Sequence, residues 1–307
     1  MEHDVIGDIH GHADKLVALL RKLGYRQRGG AWRHPDPNRN AIFVGDFIDR
    51  GPHQLEAVRI VRSMVEAGTA MAVMGNHEFN AIAWHTPDPK DPDKHLRPHN
   101  EKNQDQHAAF LEETTDEPEL RKSILAWFLT LPLWLDLPGL RVVHACWHPK
   151  YIAHLEPILQ PGNRLDIGLV EAASRRESTT FDAVEAILKG PEVTLPNGMR
   201  FPQGGQMRKN ARTRWWDRGA VTFQQSAIVD AGTRHLLPST PSPEDVRFGY
   251  DGHKPVFVGH YWMTGQPQLL TPLVACTDYS AGKGDPLVAY RWDGERDLDP
   301  SNFVSAR

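Results

Sequence analysis

Cysteine is scarce in this chain: its 307 residues hold two, Cys146 and Cys276. Two thiols cannot form a disulfide framework, and they suit a reducing compartment. Cys276 lies in the apolar run Leu273-Val274-Ala275-Cys276 and reads as a small buried packing residue rather than a reactive thiol. Long apolar runs are missing as well; none approaches the roughly 18 residues of a membrane span. Neither sign of charge dominates. With 35 Lys and Arg against 39 Asp and Glu, the formal net charge is -4, which gives no electrostatic reason to expect a nucleic-acid or membrane partner. No internal repeat or low-complexity tract is present. No signal peptide is visible either, because a motif-bearing stretch begins at residue 7 and leaves no room for one. A cytoplasmic protein is expected. Histidine is what the chain has in excess: 16 residues, several placed where apolar runs end. That count directs attention to metal.

The stretch that organises the rest is Gly45-Asp46-Phe47-Ile48-Asp49-Arg50-Gly51-Pro52. The apolar run Ala41-Ile42-Phe43-Val44 before it reads as a buried strand. After it, Leu55, Val58, Val61 and Val65 recur at helical spacing, with Gly68 placed to end the helix. Two carboxylates and an arginine therefore sit where a strand gives way to a helix, the place at which open α/β sheets bind ligands. An aspartate there can hold a hard cation, and an arginine can fork onto a phosphate.

The same pattern recurs on either side. Val5-Ile6 is a short strand running into Gly7-Asp8-Ile9-His10-Gly11-His12, followed by a helix with Leu16, Leu19, Leu20 and Leu23 on one face and Gly24 at its close. Residues 26–40 are polar and read as a hairpin or loop. Ala70 to Met74 is a third buried strand, ending in Gly75-Asn76-His77-Glu78. Three strand-turn-helix units in about 80 residues argue for a mixed α/β sheet. Residues 85–107 break the rhythm with several Asp-Pro steps and read as a loop insertion over the sheet. A helical stretch is expected over 108–130, then strands at 133–137 and 140–143, the second ending in His144-Ala145-Cys146-Trp147. Residues 152–250 are polar and irregular and read as a cap-like insertion within a single domain spanning 1–307, with helices near 164–175 and 181–189. The sheet resumes at Pro255 to Val258, which ends in Gly259-His260, and 273–277 and 287–292 are the last expected strands.

Asp8 and His10, Asp46, Asn76 and His77, His144, and His260 all stand at strand ends. Asp8 and His10, two apart, point the same way along an extended chain and can reach one cation. Carboxylate oxygens, imidazole nitrogens and an amide oxygen form a mixed ligand set that fits manganese, iron or zinc better than calcium. Six such ligands suit two ions that share a carboxylate, and Asp46 is the natural bridge. Two divalent ions about 3.5–4 Å apart clamp a displacement at phosphorus.

Gly7-Asp8-Ile9-His10-Gly11, Gly45-Asp46-Phe47-Ile48-Asp49-Arg50-Gly51 and Gly75-Asn76-His77-Glu78 closely resemble the three signature motifs of the phosphoprotein phosphatase (PPP) branch of the calcineurin-like metallophosphoesterases. Bacterial serine/threonine phosphatases and symmetrical diadenosine tetraphosphatases share that branch. The resemblance covers residues 4 to about 144 and resumes at 255–292. It implies a four-layer α/β (α+β) β-sandwich flanked by helices, with a dinuclear metal centre at the sheet edge. It also implies that Asp8, His10 and Asp46 hold the first metal, and Asp46, Asn76, His144 and His260 the second. His77 would be the general acid, oriented by Asp49, and Arg50 would grip non-bridging phosphate oxygens. The two divalent ions would be manganese before iron or zinc.

This chain departs from the PPP pattern beside two ligands. His144-Ala145-Cys146 replaces His-Gly-Gly, and Gly259-His260-Tyr261-Trp262 replaces Gly-His-Thr. Both histidines survive, so the difference bears on substrate choice rather than on metal. Trp262 also stands where more distant relatives, including nucleases, carry a second histidine, and its presence favours the PPP branch. A second phosphate-binding arginine is expected from residues 208–218; Arg218 matches best, with Arg214 and Arg212 open. Two substrate classes follow: phosphoserine, phosphothreonine or small phosphate esters first, and a dinucleoside polyphosphate, cleaved to nucleoside diphosphates, as the alternative. Trp215, Trp216 and Phe201 could stack bases in the latter case. A catalytically silent, metal-stabilised scaffold is the reading from another class. Loss of His77, Asp49 or a ligand would signal it, and all are present.

Overall fold

The computed structural model describes residues 1–203, 205–230, 232–250 and 252–307. They form two compact units, one of residues 1–188 with 254–307 and one of residues 189–253.

The first unit is built on two five-stranded sheets. One has the order Phe303–Ala306, Leu287–Trp292, Glu2–Ile6, Arg39–Phe43, Ala70–Ala72. The other runs Leu269–Thr271, Val274–Cys276, Val256–Val258, Arg141–Val143, Trp134–Asp136. In each sheet three strands are parallel and antiparallel strands lie outside them. Register explains how the sheets meet. Ile42 pairs with Val5 and Met71, and Val5 with Tyr290, so these side chains leave one face of the first sheet. Val142 pairs with Phe257, and Phe257 with Ala275, making the matching row on the second. Both rows belong to one buried cluster with Val44, Val73, Leu140 and Trp292. The core is thus a sandwich of two in-register apolar rows, as in aligned sheet packing.

The helix Ala13–Lys22 buries Leu16, Leu19 and Leu20 and packs on the strands Leu287–Trp292 and Phe303–Ala306. Gly24 follows in a left-handed conformation (φ 95°), which ends the helix without the steric cost of a Cβ. The helix Gln54–Glu66 packs on Ala70–Ala72, but its buried stripe is Gln54, Ala57, Val58, Ile60, Val61 and Met64. Leu55 and Val65, expected on that face, are only half-buried. The stripe is rotated because Gln54 turns inward to hydrogen-bond the neighbouring turn.

Three expectations need correction. Residues 85–107 are not a loop: Pro87–Asp88 pairs with Asp91–His95, and a helix spans Glu101–Glu113. Asn100 starts that helix by accepting the Asn103 N–H at 3.0 Å, a capping contact hidden among Asp-Pro steps. The stretch 108–130 is two helices rather than one, because Pro118 opens a second at Pro118–Phe128, where its missing N–H costs nothing. A further strand, Phe303–Ala306, follows the two that were expected to be last, and it pairs antiparallel with Leu287–Tyr290.

The segment 152–250 divides between the units. Residues 152–188, including the helix Ile167–Ala173 and nearly all of Thr179–Lys189, fold with the first. The second unit holds two small antiparallel pairs, Glu192–Thr194 with Asn210–Arg212 and Phe201–Gln203 with Gln206–Arg208, and a core of its own around Phe201, Ala211 and Phe223. No helix among the described residues is long and apolar enough to cross a membrane.

Candidate metal centre

The parallel strands of both sheets end at one edge, and the candidate ligands follow them. Glycine makes the convergence possible. A Cβ on Gly45 would lie 2.5 Å from the Gly75 nitrogen, and one on Gly259 would lie 2.1 Å from Asp8 Oδ1. Without side chains at these points, the three motifs of the first sheet close on each other and on the second sheet.

Asp46 is the hub. Its Oδ2 lies 3.7 Å from His10 Nε2, 3.9 Å from His77 Nε2 and 3.4 Å from His144 Nε2. Two groups of donor atoms, each mutually within 4.8 Å, contain it: His10, Asp46 and His77, and Asp46, His144 and His260. Asn76 Oδ1 lies 3.1 Å from His144 Nε2 and 2.7 Å from His260 Nδ1, so it faces the second group. Asp8 lies outside both groups. Its Oδ2 accepts the His260 N–H at 2.9 Å, and its Oδ1 has no hydrogen-bond partner. Geometry therefore brings five of the six expected ligands around Asp46 or Asn76, adds His77, and sets Asp8 beside them.

The imidazoles are oriented by backbone. His10 Nδ1 lies 3.0 Å from the Ile48 carbonyl and His144 Nδ1 lies 2.7 Å from the Val44 carbonyl. Each Nδ1 then carries the proton and donates, which leaves Nε2 as the free lone pair, the tautomer a metal ligand needs. Burial and the charge of nearby His77 push the His10 pKa down to about 3, so that ring stays neutral. His10 Nε2 is fully buried and has no hydrogen-bond partner. Buried acids crowd behind these rings. Burial and mutual repulsion raise Asp8 and Asp278, and lift Glu78 to about 7. Unpartnered buried donors beside several buried carboxylates fit divalent cations.

Glu78 and Gln54 hold the turns in place. The Glu78 carboxylate accepts the N–H groups of Gly75, Asp46 and Phe47 at 2.8–2.9 Å. Gly75 is the N-cap of the helix Asn76–His85. Gln54 accepts the Asp49 N–H at 2.6 Å. Asp49 in turn lies 2.5 Å from His77 Nδ1 and 2.8 Å from His107 Nδ1, one ring on each carboxylate oxygen. His107 is the partner that sequence reading missed. Burial disfavours a charged His77, but Asp46 and Asp49 outweigh it and raise its pKa. Against burial, the bonds from His107 and His77 lower Asp49 to about 2.

Arg50 is exposed, in a left-handed backbone conformation (φ 82°), with its guanidinium 5.0 Å from the Trp262 ring centroid. Arg214 and Arg218 lie in the second unit. There Arg214 sits 3.9 Å from Asp217, and Arg218 Nε donates to the Phe248 carbonyl at 2.9 Å. Trp215, Trp216 and Phe201 are buried at 0%, 5% and 0% exposure. Their faces are taken up by the core of that unit, so the expectation that they stack bases is overturned.

Residues 4–162 match the profile described as calcineurin-like phosphoesterase, which is more than half of the chain. The chain belongs to this family. Among curated proteins it is 52% identical over 77 residues to bis(5'-nucleosyl)-tetraphosphatase PrpE (asymmetrical) of Halalkalibacterium halodurans, a match covering 25% of this chain and 31% of that relative. The PrpE of Bacillus subtilis is 43% identical over 77 residues, with the same coverage. The chain thus spans less than a third of the length of these relatives. Among solved structures, a Saccharomyces cerevisiae protein serine/threonine phosphatase with similarity to human phosphatase PP5 gives a TM-score of 0.53 at 15% identity, covering 99% of this chain and 78% of that one. A cold-active protein-tyrosine phosphatase of a psychrophilic Shewanella gives 0.50 at 15% identity, covering 100% of this chain and 80% of that one. At such identity these likenesses bear on the fold, which is the mixed α/β sandwich that the motifs implied.

Proposed function

We propose that this family member is a metal-dependent phosphoester hydrolase centred on Asp46. The observation that carries the reading is the position of the Asp46 carboxylate, shared by two histidine-containing donor groups, beside the His77–Asp49 pair. Asp8, His10 and Asp46 would hold one ion; Asp46, Asn76, His144 and His260 would hold the other. When bound, two divalent ions supply charge stabilisation at phosphorus and make a water molecule acidic enough to attack at neutral pH. Manganese is the proposed ion, and iron or zinc suits the same donors.

The chain's own residues supply the rest. His77 keeps its Nδ1 proton on Asp49 and presents Nε2 to the leaving oxygen, and the carboxylates of Asp46 and Asp49, which raise its pKa against burial, favour the protonated, proton-donating form. Asp49 is fixed by His107 and Gln54, so the imidazole has one orientation. Arg50 has no carboxylate within 4.0 Å among the described residues, and its guanidinium is available for non-bridging phosphate oxygens. Arg218, with Arg214 as the second choice, remains the proposed guanidinium from the second unit. A cytosolic setting belongs to the same proposal and is supported by Cys146 and Cys276, both buried and unbonded, with pKa values raised by burial.

Phosphomonoesters, including phosphopeptides, are the first proposed substrates, and no DNA partner is proposed. The name carried by the PrpE relatives favours a second reading, hydrolysis of a dinucleoside tetraphosphate. That name also says asymmetrical, whereas nucleoside diphosphates would be the products of symmetrical cleavage. The experiment is to strip metal, restore manganese, and offer p-nitrophenyl phosphate, a phosphothreonine peptide and diadenosine tetraphosphate side by side. Turnover of the first two supports the monoesterase. Preference for the dinucleotide supports the second reading, with mono- and triphosphate products marking asymmetrical cleavage. No turnover of any of the three by the metal-loaded protein would sink the hydrolase reading and revive the scaffold.

A further inference from the structure

A second cation shares the Trp262 ring with Arg50. Lys283 places its ammonium 4.4 Å from the same ring centroid from which the Arg50 guanidinium stands 5.0 Å. Both side chains are exposed, and among the described residues neither has a carboxylate within 4.0 Å. His10 packs against that indole as well, with ring centroids 5.0 Å apart and planes 21° from parallel. The two cations thus share one aromatic ring that rests on a proposed metal ligand.

The turn that carries Lys283 is rigidly set. Asp278 accepts the Trp262 N–H at 2.6 Å and the Ser280 N–H at 3.0 Å, tying the two loops together. Lys15 donates to the carbonyls of Ala281 and Asp285 at 2.8 and 2.9 Å, on either side of Lys283. A Cβ on Gly282 would meet the His10 ring at 2.9 Å, so this turn lies directly on the ligand. A cation on so fixed a backbone is pre-positioned rather than merely a solvated lysine.

We infer that Lys283 binds a second phosphoryl group, next to the one gripped by Arg50, and that it tightens the binding of ligands with a chain of linked phosphates while adding nothing to the binding of isolated monoesters. The inference rests on the reading of Asp46 as the centre of a phosphoester hydrolase. Arg50 offers a planar fork for the scissile group, whereas Lys283 offers a point charge with three rotatable donors, suited to the varied oxygens of a neighbouring phosphate. Trp262 orients both through cation–π contact.

The test uses Lys283→Gln and Lys283→Arg in the manganese-loaded protein. Binding of inorganic tripolyphosphate and of orthophosphate is followed by calorimetry at constant free manganese. Turnover of diadenosine tetraphosphate and p-nitrophenyl phosphate is followed in parallel. Lys283→Gln is expected to weaken tripolyphosphate about tenfold and leave orthophosphate within about twofold. It should raise KM for the dinucleotide by a similar factor with kcat held, and leave p-nitrophenyl phosphate unaffected. Lys283→Arg should restore most of both losses. Equal losses on the two ligands, or none on either, would overturn the inference. If the wild-type protein hydrolyses neither ester while tripolyphosphate binding still depends on Lys283, the hydrolase reading fails and the phosphate subsite stands.

Discussion

His77 and His107 bind the two oxygens of one carboxylate. Asp49 lies 2.5 Å from His77 Nδ1 and 2.8 Å from His107 Nδ1, and all three side chains are buried. The carboxylate therefore has no free rotation, and the His77 imidazole inherits a fixed direction and a raised pKa.

His77→Asn is expected to keep metal bound and to cut kcat by about 10²–10⁴. Metal analysis beside steady-state kinetics checks it, and unchanged turnover would remove His77 from the mechanism.

Asp49→Asn changes the pH profile in a definite direction. The wild-type acid is protonated below its raised pKa, so activity falls as pH rises through a value above 6.5. Removing the carboxylate takes away one of the two charges that offset burial, and the basic limb should move to lower pH. A pH–rate profile on p-nitrophenyl phosphate reads this directly; a limb that stays in place, or moves up, would show that Asp49 does not set the His77 proton.

His107→Leu keeps the bulk of the ring and removes one hydrogen bond to Asp49. The wild-type carboxyl, held at about 2, contributes stability that is present above its unfolded pKa near 3.8 and lost as pH falls toward about 2. In the variant the fall still begins near the unfolded pKa but is smaller and ends at higher pH, since the folded pKa lies closer to the unfolded one. Denaturant unfolding between pH 3 and 7 measures it. Coincident profiles for the two proteins would leave His107 without a role at Asp49.

Gly259→Ala places a Cβ 2.1 Å from Asp8 Oδ1. The overpacking should cost about 1–3 kcal/mol of stability and weaken metal binding, because Asp8 Oδ2 also anchors the His260 N–H. Unfolding and manganese titration of the variant test both effects. Wild-type values for both would mean that the two sheet edges are looser than their contacts indicate.

Much of this centre was legible in the chain because it is written locally. Asp8, Asp46, Asn76, His144 and His260 each follow a short apolar run, and most follow a glycine, a pattern that strand periodicity and turn chemistry expose. His107 carries no such mark. It lies in a polar helix, 58 residues from the Asp49 it holds, and only tertiary packing joins them. Gln54 carries no apolar signal in the sequence, yet it is fully buried against its own turn. The pair Pro87–Asp88 and Asp91–His95 has no sequence signature because polar strands without a buried face show no alternation. For Trp215, Trp216 and Phe201, large aromatics proved to be what they most often are, core residues. Lys283 carries no mark in the sequence because its significance comes from Trp262, 21 positions away in the chain, and not from its own neighbours.

Asp46→Asn keeps the shape of the hub and removes its charge. Both ions should be lost or greatly weakened together, since both proposed sets include this carboxylate. Metal content that stays at the wild-type level would contradict the shared-carboxylate assignment.

The central claim is that hydrolysis depends on ions held around Asp46. The most direct measurement strips the protein with a chelator, returns manganese in steps, and records bound metal and p-nitrophenyl phosphate turnover on the same samples. The account predicts no turnover in the stripped protein and a rise with occupancy that levels at two ions per chain. Full turnover in the stripped protein, or turnover that fails to follow bound manganese, would contradict it.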